Sequence, residues 1–343
     1  MNLKKTLCAL LALSMALMLS ACGAGGQAGQ SPSPKQSSTP AAGGETPAAQ
    51  TYQIGIILKS ADDPWTAWQG KEMQAEAEKN YPQFGLEVVD CNFDLNNQIS
   101  AMENFITKGV DLIIIQPIDQ NSVAYMVDQA FEAGIPVVAV TEVIDNEHSY
   151  NIRTDAYAEG FLLMNTMMEY LPEGAKVVEL RGQLGMALSE ARHQAIHDAV
   201  EKAGRTDITF LDSQTGEWMK DTAMNITEDW IQRYGGEISG VVSANDYMAL
   251  GAVEAFKAAG TIDNVIICGV DCLPEACTAI KDGALTFTVV NDAPGSARLG
   301  LQTAWKLLQG EAVEHEQILD SSVCDQNNVD EWIEVHKAIG NLS

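Results

Sequence analysis

Nine side chains of the sequence combine in a way that suits binding rather than catalysis. They are carboxylates, carboxamides, one arginine and two tryptophans. Seven of them lie in the loops that follow predicted buried strands, and Glu190 and Arg192 lie on a predicted helix. In chain order they are Asp63, Trp65, Glu142, Glu190, Arg192, Trp218, Asn245, Asp271 and Asn291. Carboxylate and amide groups can hydrogen-bond neighbouring hydroxyls, and aromatic rings pack against apolar C–H faces. The set therefore predicts a site for a small ring that carries hydroxyl groups.

Patterns typical of enzymes do not accompany these residues. The segment after the first predicted strand, residues 59–64, reads Lys-Ser-Ala-Asp-Asp-Pro and lacks the glycine fingerprint of a dinucleotide site. The sequence also contains neither a Gly-x-Ser-x-Gly elbow nor a His-Glu-x-x-His helix. We therefore predict a binding protein without a cofactor, and not an enzyme.

The elements that would position these residues alternate between strand and helix. Short apolar runs typical of strands covered on both faces occur at residues 54–58, 86–91, 112–115, 137–141, 176–180, 209–211, 241–243, 265–268 and 285–290. Helical patterns fall at residues 66–79, 98–108, 123–133, 189–203, 219–233, 247–259 and 274–281. This alternation predicts the α/β class, with two doubly wound parallel-sheet lobes and a ligand cleft between them at the carboxyl ends of the strands.

The predicted lobes are discontinuous in the chain. We expect the N-terminal lobe to comprise residues 51–154 and 292–320, and the C-terminal lobe residues 155–291 and 321–343. The chain would then cross between the lobes three times, near Thr154, Asn291 and Leu319, which together would form a hinge.

The first fifty residues have the composition of a targeting signal and a tether. Lys4 and Lys5 precede an apolar run at residues 7–19, which ends at Leu-Ser-Ala-Cys22 and resembles a bacterial lipobox. The resemblance implies a signal peptide over residues 1–22, with Cys22 carrying lipid chains. Residues 23–50 are rich in Gly, Ala, Ser, Pro, Gln and Thr, and we expect them to form a disordered linker. We expect the protein to lie at the outer face of the cell membrane and to be held there by the lipid anchor alone.

Four segments resemble sugar-binding proteins of the periplasmic binding protein type 1 fold. Residues 244–252, 268–276, 281–285 and 290–293 closely resemble the glucose/galactose-binding family, and the wider likeness to the sugar-binding branch, ribose binders included, covers residues 52–319. The resemblance implies a monomeric solute-binding protein that delivers a monosaccharide to an ABC permease.

The resemblance also assigns roles to single residues. Trp65 and Trp218 match two opposing aromatic residues that stack on the sugar. The residues that match hydroxyl-binding positions are Asp63, Arg192, Asn245, Asp271 and Asn291. Two of these have an alternative: Asp63 and Asp271 could each cap the helix that follows. For the helix near residue 247, Asp246 is the favoured cap.

Departures from the relatives leave the identity of the ligand open. Met186 and Leu188 stand where the glucose/galactose family has His and Asp. Glu142 and Glu190 stand where ribose binders have arginines. The two extra carboxylates fit an amino sugar, but they could equally be solvated groups beside a neutral sugar, which we favour.

Charge and cysteine content narrow the partners further. The formal net charge of −27 argues against nucleic acid as a partner. The cysteines lack zinc-type spacing, so we predict neither a metal nor a disulfide framework. The calcium-binding loop of the glucose/galactose family has no counterpart in this sequence. His193 and His197 lie one helical turn apart, with Glu190 before them, and residues at this spacing could bind zinc. Both histidines lie opposite the apolar face of the helix, however, so we favour a solvent-exposed face without a metal.

Two other functions use the same fold. A sugar-responsive transcription factor would carry a DNA-binding headpiece at its N-terminus, where this chain has the predicted signal and linker. A receptor that feeds a sensor kinase or binds a quorum signal remains an open alternative to uptake.

Overall fold

The computed structural model describes residues 51–342. The predicted signal peptide, Cys22 and linker lie outside the described residues. Within residues 51–342, no helix combines the length and the apolar character that crossing a membrane requires.

The first lobe is built on a six-stranded sheet in the order β11-β5-β4-β3-β1-β2, with every neighbouring pair parallel. Its strands are β1 (Tyr52–Leu58), β2 (Phe84–Asp90), β3 (Leu112–Ile115), β4 (Val137–Val140), β5 (Ser149–Thr154) and β11 (Glu316–Leu319). The residues of β3 and β4 are all buried, as expected for strands covered on both faces.

The second lobe repeats this arrangement in the order β12-β10-β9-β8-β6-β7. Its strands are β6 (Lys176–Arg181), β7 (Thr209–Thr215), β8 (Gly240–Ser243), β9 (Ile266–Val270), β10 (Phe287–Val290) and β12 (Ser322–Asp325). All pairs are parallel except the edge strand β12, which runs antiparallel to β10.

Ten α-helices of the described region connect and cover the two sheets. They are α1 (Pro64–Asn80), α2 (Leu95–Lys108), α3 (Ala124–Glu132), α4 (Ala156–Tyr170), α5 (Ala187–Ala203), α6 (Lys220–Tyr234), α7 (Asp246–Ala259), α8 (Pro274–Lys281), α9 (Ala293–Leu308) and α10 (Val329–Ala338). Apolar clusters lie on both faces of each sheet. The predicted fold class of two parallel-sheet α/β lobes is therefore confirmed.

The sequence patterns missed six elements: β5, β11, β12, α4, α9 and α10. The edge strand β11 alternates between exposed and partly buried residues, and β12 has a single buried residue, Cys324, so neither contains a buried apolar run. Such strands are defined by their pairing with β5 and β10, which lie far away in the chain. Local periodicity cannot report that pairing.

The chain passes from one sheet to the other at three places. These are between β5 and α4, between β10 and α9, and between β11 and β12. The last passage is the only one of the three in the described chain that joins two strands directly, since β11 ends at Leu319 and β12 begins at Ser322.

Candidate functional site

A cleft lies between the carboxyl ends of the two sheets. It contains about 420 Å³ of space not filled by protein atoms, including its open mouth. Its lining residues are Lys59, Asp63, Trp65, Phe93, Thr141, Met186, Leu188, Arg192, Trp218, Asn245, Asp271 and Asn291. Seven of the nine side chains singled out from the sequence are therefore brought together in one cavity.

On the N-lobe side, the start of α1 supplies Asp63 and Trp65. One carboxylate oxygen of Asp63 accepts the backbone N–H of Thr66 at 2.8 Å, so the residue caps α1 as its alternative role required. The other oxygen takes no part in the cap. The indole N–H of Trp65 donates to the backbone oxygen of Asn291 at 2.9 Å, which ties α1 to the segment after β10.

On the C-lobe side, Trp218 lies in the loop between β7 and α6. Its backbone has φ +63°, which is rare for a bulky residue. Its ring packs directly over Gly182, where any side chain would overlap it, and its N–H points at the sulfur of Met186 at 3.3 Å. The absence of a Cβ at Gly182 therefore allows the ring to lie flat against the end of β6.

Asp271 follows β9 and faces Asn291, which follows β10. The amide group of Asn291 donates to Asp271 across 3.4 Å, and the hydroxyl of Thr154 reaches the amide oxygen of Asn291 across 3.4 Å. Helix α8 has no side-chain cap, so the alternative role of Asp271 as a helix cap is wrong. Burial raises the pKa of Asp271 well above its usual range, although the nearby Arg192 opposes the shift.

Helix α7 is capped differently from the prediction. The side-chain oxygen of Asn245, and not that of Asp246, accepts the N–H of Met248 at 2.9 Å. Asp246 is instead fully buried, where it accepts the hydroxyl of Thr288 at 2.7 Å and the N–H of Leu273 at 2.9 Å. It thereby anchors the loop that carries Asp271, because it holds the backbone two residues further along.

Arg192 is almost completely buried on α5. Its guanidinium donates twice to one carboxylate oxygen of Glu159, at 3.1 and 2.7 Å, and once to the backbone oxygen of Ala244 at 2.7 Å. These three bonds use fewer than its five N–H donors, so part of the planar group remains available to the cleft. The buried pair with Glu159 fixes the orientation of the guanidinium from behind.

Backbone strain is concentrated around the cleft. Seven non-glycine residues of the described chain have positive φ, and all lie within three residues of the end of β2, β4, β7 or β9: Asn92, Phe93, Thr141, Glu217, Trp218, Asp271 and Cys272. Four of them line the cavity. Each such conformation costs on the order of 1–3 kcal/mol, and strain of this kind collects at ligand sites, where it fixes side-chain direction.

The two remaining predicted residues lie outside the cavity lining. Glu142 is buried beside it, and burial raises the pKa of its carboxyl, whereas the positive charges of Lys59 and Arg192 oppose the shift. Glu190 turns away and pairs with Arg181 at 2.7 Å in a half-exposed position.

Five lining residues were not among the predicted site residues: Lys59, Phe93, Thr141, Met186 and Leu188. Lys59 directly follows β1 and Phe93 lies three residues beyond β2, so their positions after strands could have indicated them.

Two side-chain clusters in residues 51–342 have spacing suited to a metal, and both lie outside the cleft lining. One comprises the buried thiols of Cys272, Cys277 and Cys324, and the other Glu179, His193 and His197. In the second cluster both imidazoles are partly exposed, as expected for a solvated face, but they also hydrogen-bond the buried carboxylate of Glu179, which that expectation did not include.

Known proteins resemble this chain in sequence and in architecture. A putative rhizopine-binding protein of Rhizobium meliloti is 30% identical over 291 residues, covering 83% of this chain and 94% of that protein. A xylitol-binding protein of Mycolicibacterium smegmatis is 31% identical, covering 94% of this chain and 85% of its own. A solved solute-binding protein of Bacillus halodurans with bound myo-inositol is 28% identical, with a TM-score of 0.77, and the match covers 84% of this chain and 99% of that structure.

A family model described as periplasmic binding protein domain matches residues 54–312, which include nearly all of both sheets. Its members are ligand-binding components of import systems, so the prediction of a binding protein rather than an enzyme is confirmed. The chain belongs to the periplasmic binding protein family.

Proposed function

We propose that the chain is the solute-binding protein of an ABC-type uptake system and that its ligand is one neutral monosaccharide or a polyol of similar size. The observation that carries this proposal is the cleft itself, with Trp65 on one lobe, Trp218 on the other, and hydroxyl-binding groups around them. The relatives named for xylitol, rhizopine and bound myo-inositol support the same ligand class.

The proposed contacts divide between the two lobes. Trp65 and Trp218 would cover the two faces of the ring, because aromatic rings favour apolar C–H surfaces. Asp271, Asn245, Asn291 and Arg192 would bind hydroxyls from the C-lobe side, and Asp63 from the N-lobe side. Asn245 would offer its NH₂ group, since its side-chain oxygen already caps α7.

A neutral ligand fits the charges around the cleft better than an amino sugar. Glu190 is engaged with Arg181 and does not line the cavity. Glu142 lies close enough to Lys59 and Arg192 for both to lower the pKa of its carboxyl against the effect of burial. Neither extra carboxylate therefore requires a cationic ligand to balance it.

Binding is proposed to close the two lobes around the ligand. We take the lobes as residues 51–154 with 292–320 and 155–291 with 321–343, joined by the three chain passages. A ligand held from both sides stabilises the closed form by its differential affinity. The bond from Trp65 to Asn291 would assist, because it connects α1 to one of the passages. The closed form would dock on the permease.

A lipid on Cys22 is proposed to hold the protein at the outer face of the cell membrane. Its support is the lipobox-like sequence and the composition of residues 23–50. Two or three acyl chains suffice for stable anchoring, since each buried methylene adds about 0.8 kcal/mol of membrane affinity. We propose that the protein acts there as a monomer.

Isothermal calorimetry on the mature protein tests this function directly. We expect at least one compound among ribose, glucose, galactose, xylitol and myo-inositol to bind one-to-one with a Kd well below 1 mM, and to compact the protein in small-angle scattering. Absence of binding across this panel and across amino sugars at millimolar concentration would refute the assignment of a sugar or polyol ligand.

A further inference from the structure

A second cluster of chemically capable side chains lies on the C-lobe, outside the cleft lining. It consists of Glu179 on β6 and of His193 and His197 on α5. The Nδ1 atom of His193 lies 2.9 and 3.0 Å from the two oxygens of Glu179, and the Nε2 atom of His197 lies 3.2 Å from one of them. The three residues thus place one potential ligand atom each within 4.8 Å of the others.

Neighbouring residues hold these three groups in place. The hydroxyl of Ser213 on β7 donates to a carboxylate oxygen of Glu179 at 2.7 Å. The rings of His193 and His197 pack edge to face at 4.6 Å, and Phe210 lies against the ring of His197 at 4.2 Å. Partners of this kind orient metal ligands in known sites.

The nitrogen-to-oxygen spacing is close to that of a tetrahedral metal site. Zinc binds imidazole nitrogen and carboxylate oxygen at roughly 2.0–2.2 Å, which places neighbouring ligand atoms ~3.3 Å apart. The observed nitrogen-to-oxygen distances of 2.9–3.2 Å are slightly shorter, so small movements of the side chains would admit an ion.

The carboxylate of the cluster is buried and its two imidazoles are partly exposed, so an ion could reach the cluster from solvent. The side chain of Glu179 is 1% exposed, whereas those of His193 and His197 are 28% and 38% exposed. Solvent can reach the cluster through the histidine side and could supply a fourth ligand.

We propose that Glu179, His193 and His197 form a site for a divalent first-row transition ion of the zinc type. The ion would replace the hydrogen bonds between the imidazoles and the carboxylate, and it would clamp α5 onto β6. Because His193 directly follows Arg192 in α5, the clamp would fix the helix segment that delivers the arginine to the ligand cleft. The proposed metal site lies outside the cleft lining, and the proposal does not depend on which sugar or polyol the cleft binds.

The test uses untagged mature protein that has been treated with a chelator and then titrated with Co²⁺ and Zn²⁺. We expect one ion per chain, with the visible absorption of four-coordinate Co²⁺, and a higher melting temperature with Zn²⁺. Loss of a partner of a metal ligand costs about 10–100-fold in affinity, so His193→Gln and His197→Gln should each lose at least about tenfold. His315→Gln is the matched control and should bind as the unaltered protein does.

X-ray absorption of the Zn²⁺-loaded unaltered protein gives a second measurement that needs no variant. We expect only nitrogen and oxygen neighbours at roughly 2.0–2.2 Å, including imidazole. Sulfur neighbours at roughly 2.3 Å would place the ion on Cys272, Cys277 and Cys324 instead and overturn the proposal. The proposal would also be overturned if the unaltered protein failed to bind one ion per chain. Undiminished metal binding by the protein that carries both His193→Gln and His197→Gln would overturn it as well.

Discussion

Replacing Asp271 by asparagine should weaken ligand binding and, at the same time, raise the melting temperature of the ligand-free protein. The carboxylate is buried at the floor of the cleft, where its only hydrogen bond within the described chain is the long one from Asn291. Burial raises its pKa well above the usual range, which means that the folded protein tolerates its negative charge poorly. Asparagine is nearly isosteric with aspartate, which already adopts φ 127° here, so the substitution removes the charge without adding backbone strain.

The expected magnitudes follow from this burial. A hydrogen bond to a charged group contributes about 1.5–3 kcal/mol, so the Kd for the ligand should rise by about 10- to 150-fold. A poorly paired buried charge costs more than the about 1–3 kcal/mol of a neutral buried polar group, and the amide retains only the neutral cost. Each kcal/mol of the difference should raise the Tm by about 2–4 °C.

The pH dependence provides an internal check on the sign. The carboxyl of Asp271 has a higher pKa in the folded protein than in the unfolded chain, where it is about 3.9. As the pH rises from the unfolded pKa to the folded pKa, this group therefore destabilises the fold increasingly. The Tm advantage of Asp271→Asn should therefore be close to zero near pH 3.5 and grow toward neutral pH. Below the unfolded pKa both proteins carry an uncharged group at this position.

Calorimetry for binding and differential scanning calorimetry for the Tm measure both effects. Asp282→Asn, which makes the same change at an exposed position after α8, is the matched control and should alter neither quantity appreciably. A lower Tm for Asp271→Asn at pH 7, or an unchanged Kd, would refute the reasoning that this charge is held at a cost for the sake of binding.

Three further expectations concern the rest of the proposed site and the tether. Trp218→Ala should weaken ligand binding by about 1–2 kcal/mol, or about 5- to 30-fold, because the contact between the indole ring and the ligand is lost. Trp305→Phe in the N-lobe core should leave binding unchanged, and equal effects of the two substitutions in calorimetry would contradict the stacking role of Trp218. Glu142→Gln should change the Kd less than about threefold with little salt dependence if the ligand is neutral, and a sharp loss that depends on salt would indicate a cationic ligand instead. Cys22→Ala should release the protein from the membrane or leave it unprocessed, as judged by fractionation and mass; unchanged mass and retention would exclude the lipid anchor.

The sequence by itself determined the class of fold and the part of each lobe that borders the cleft. Parallel strands alternating with helices place the carboxyl ends of all strands at one edge, so residues that follow strands must meet there. Asp63, Trp65, Asp271 and Asn291 were identifiable for this reason, because their position depends only on the strand or helix that they adjoin. Even the competing role of Asp63 as a helix cap was a local matter, and the residue caps α1 with one oxygen.

Only the tertiary structure decided which of these side chains face the cleft and which find partners elsewhere. Glu190 lies within three residues of Arg192 in α5, yet it pairs with Arg181 while Arg192 turns inward to Glu159. His193 and His197 lie opposite the apolar stripe of α5, but β6 places the carboxylate of Glu179 against them. Each outcome depends on a partner from another strand or helix, and the free energy of burying a charge depends on that partner. Periodicity within a single helix contains no information about it.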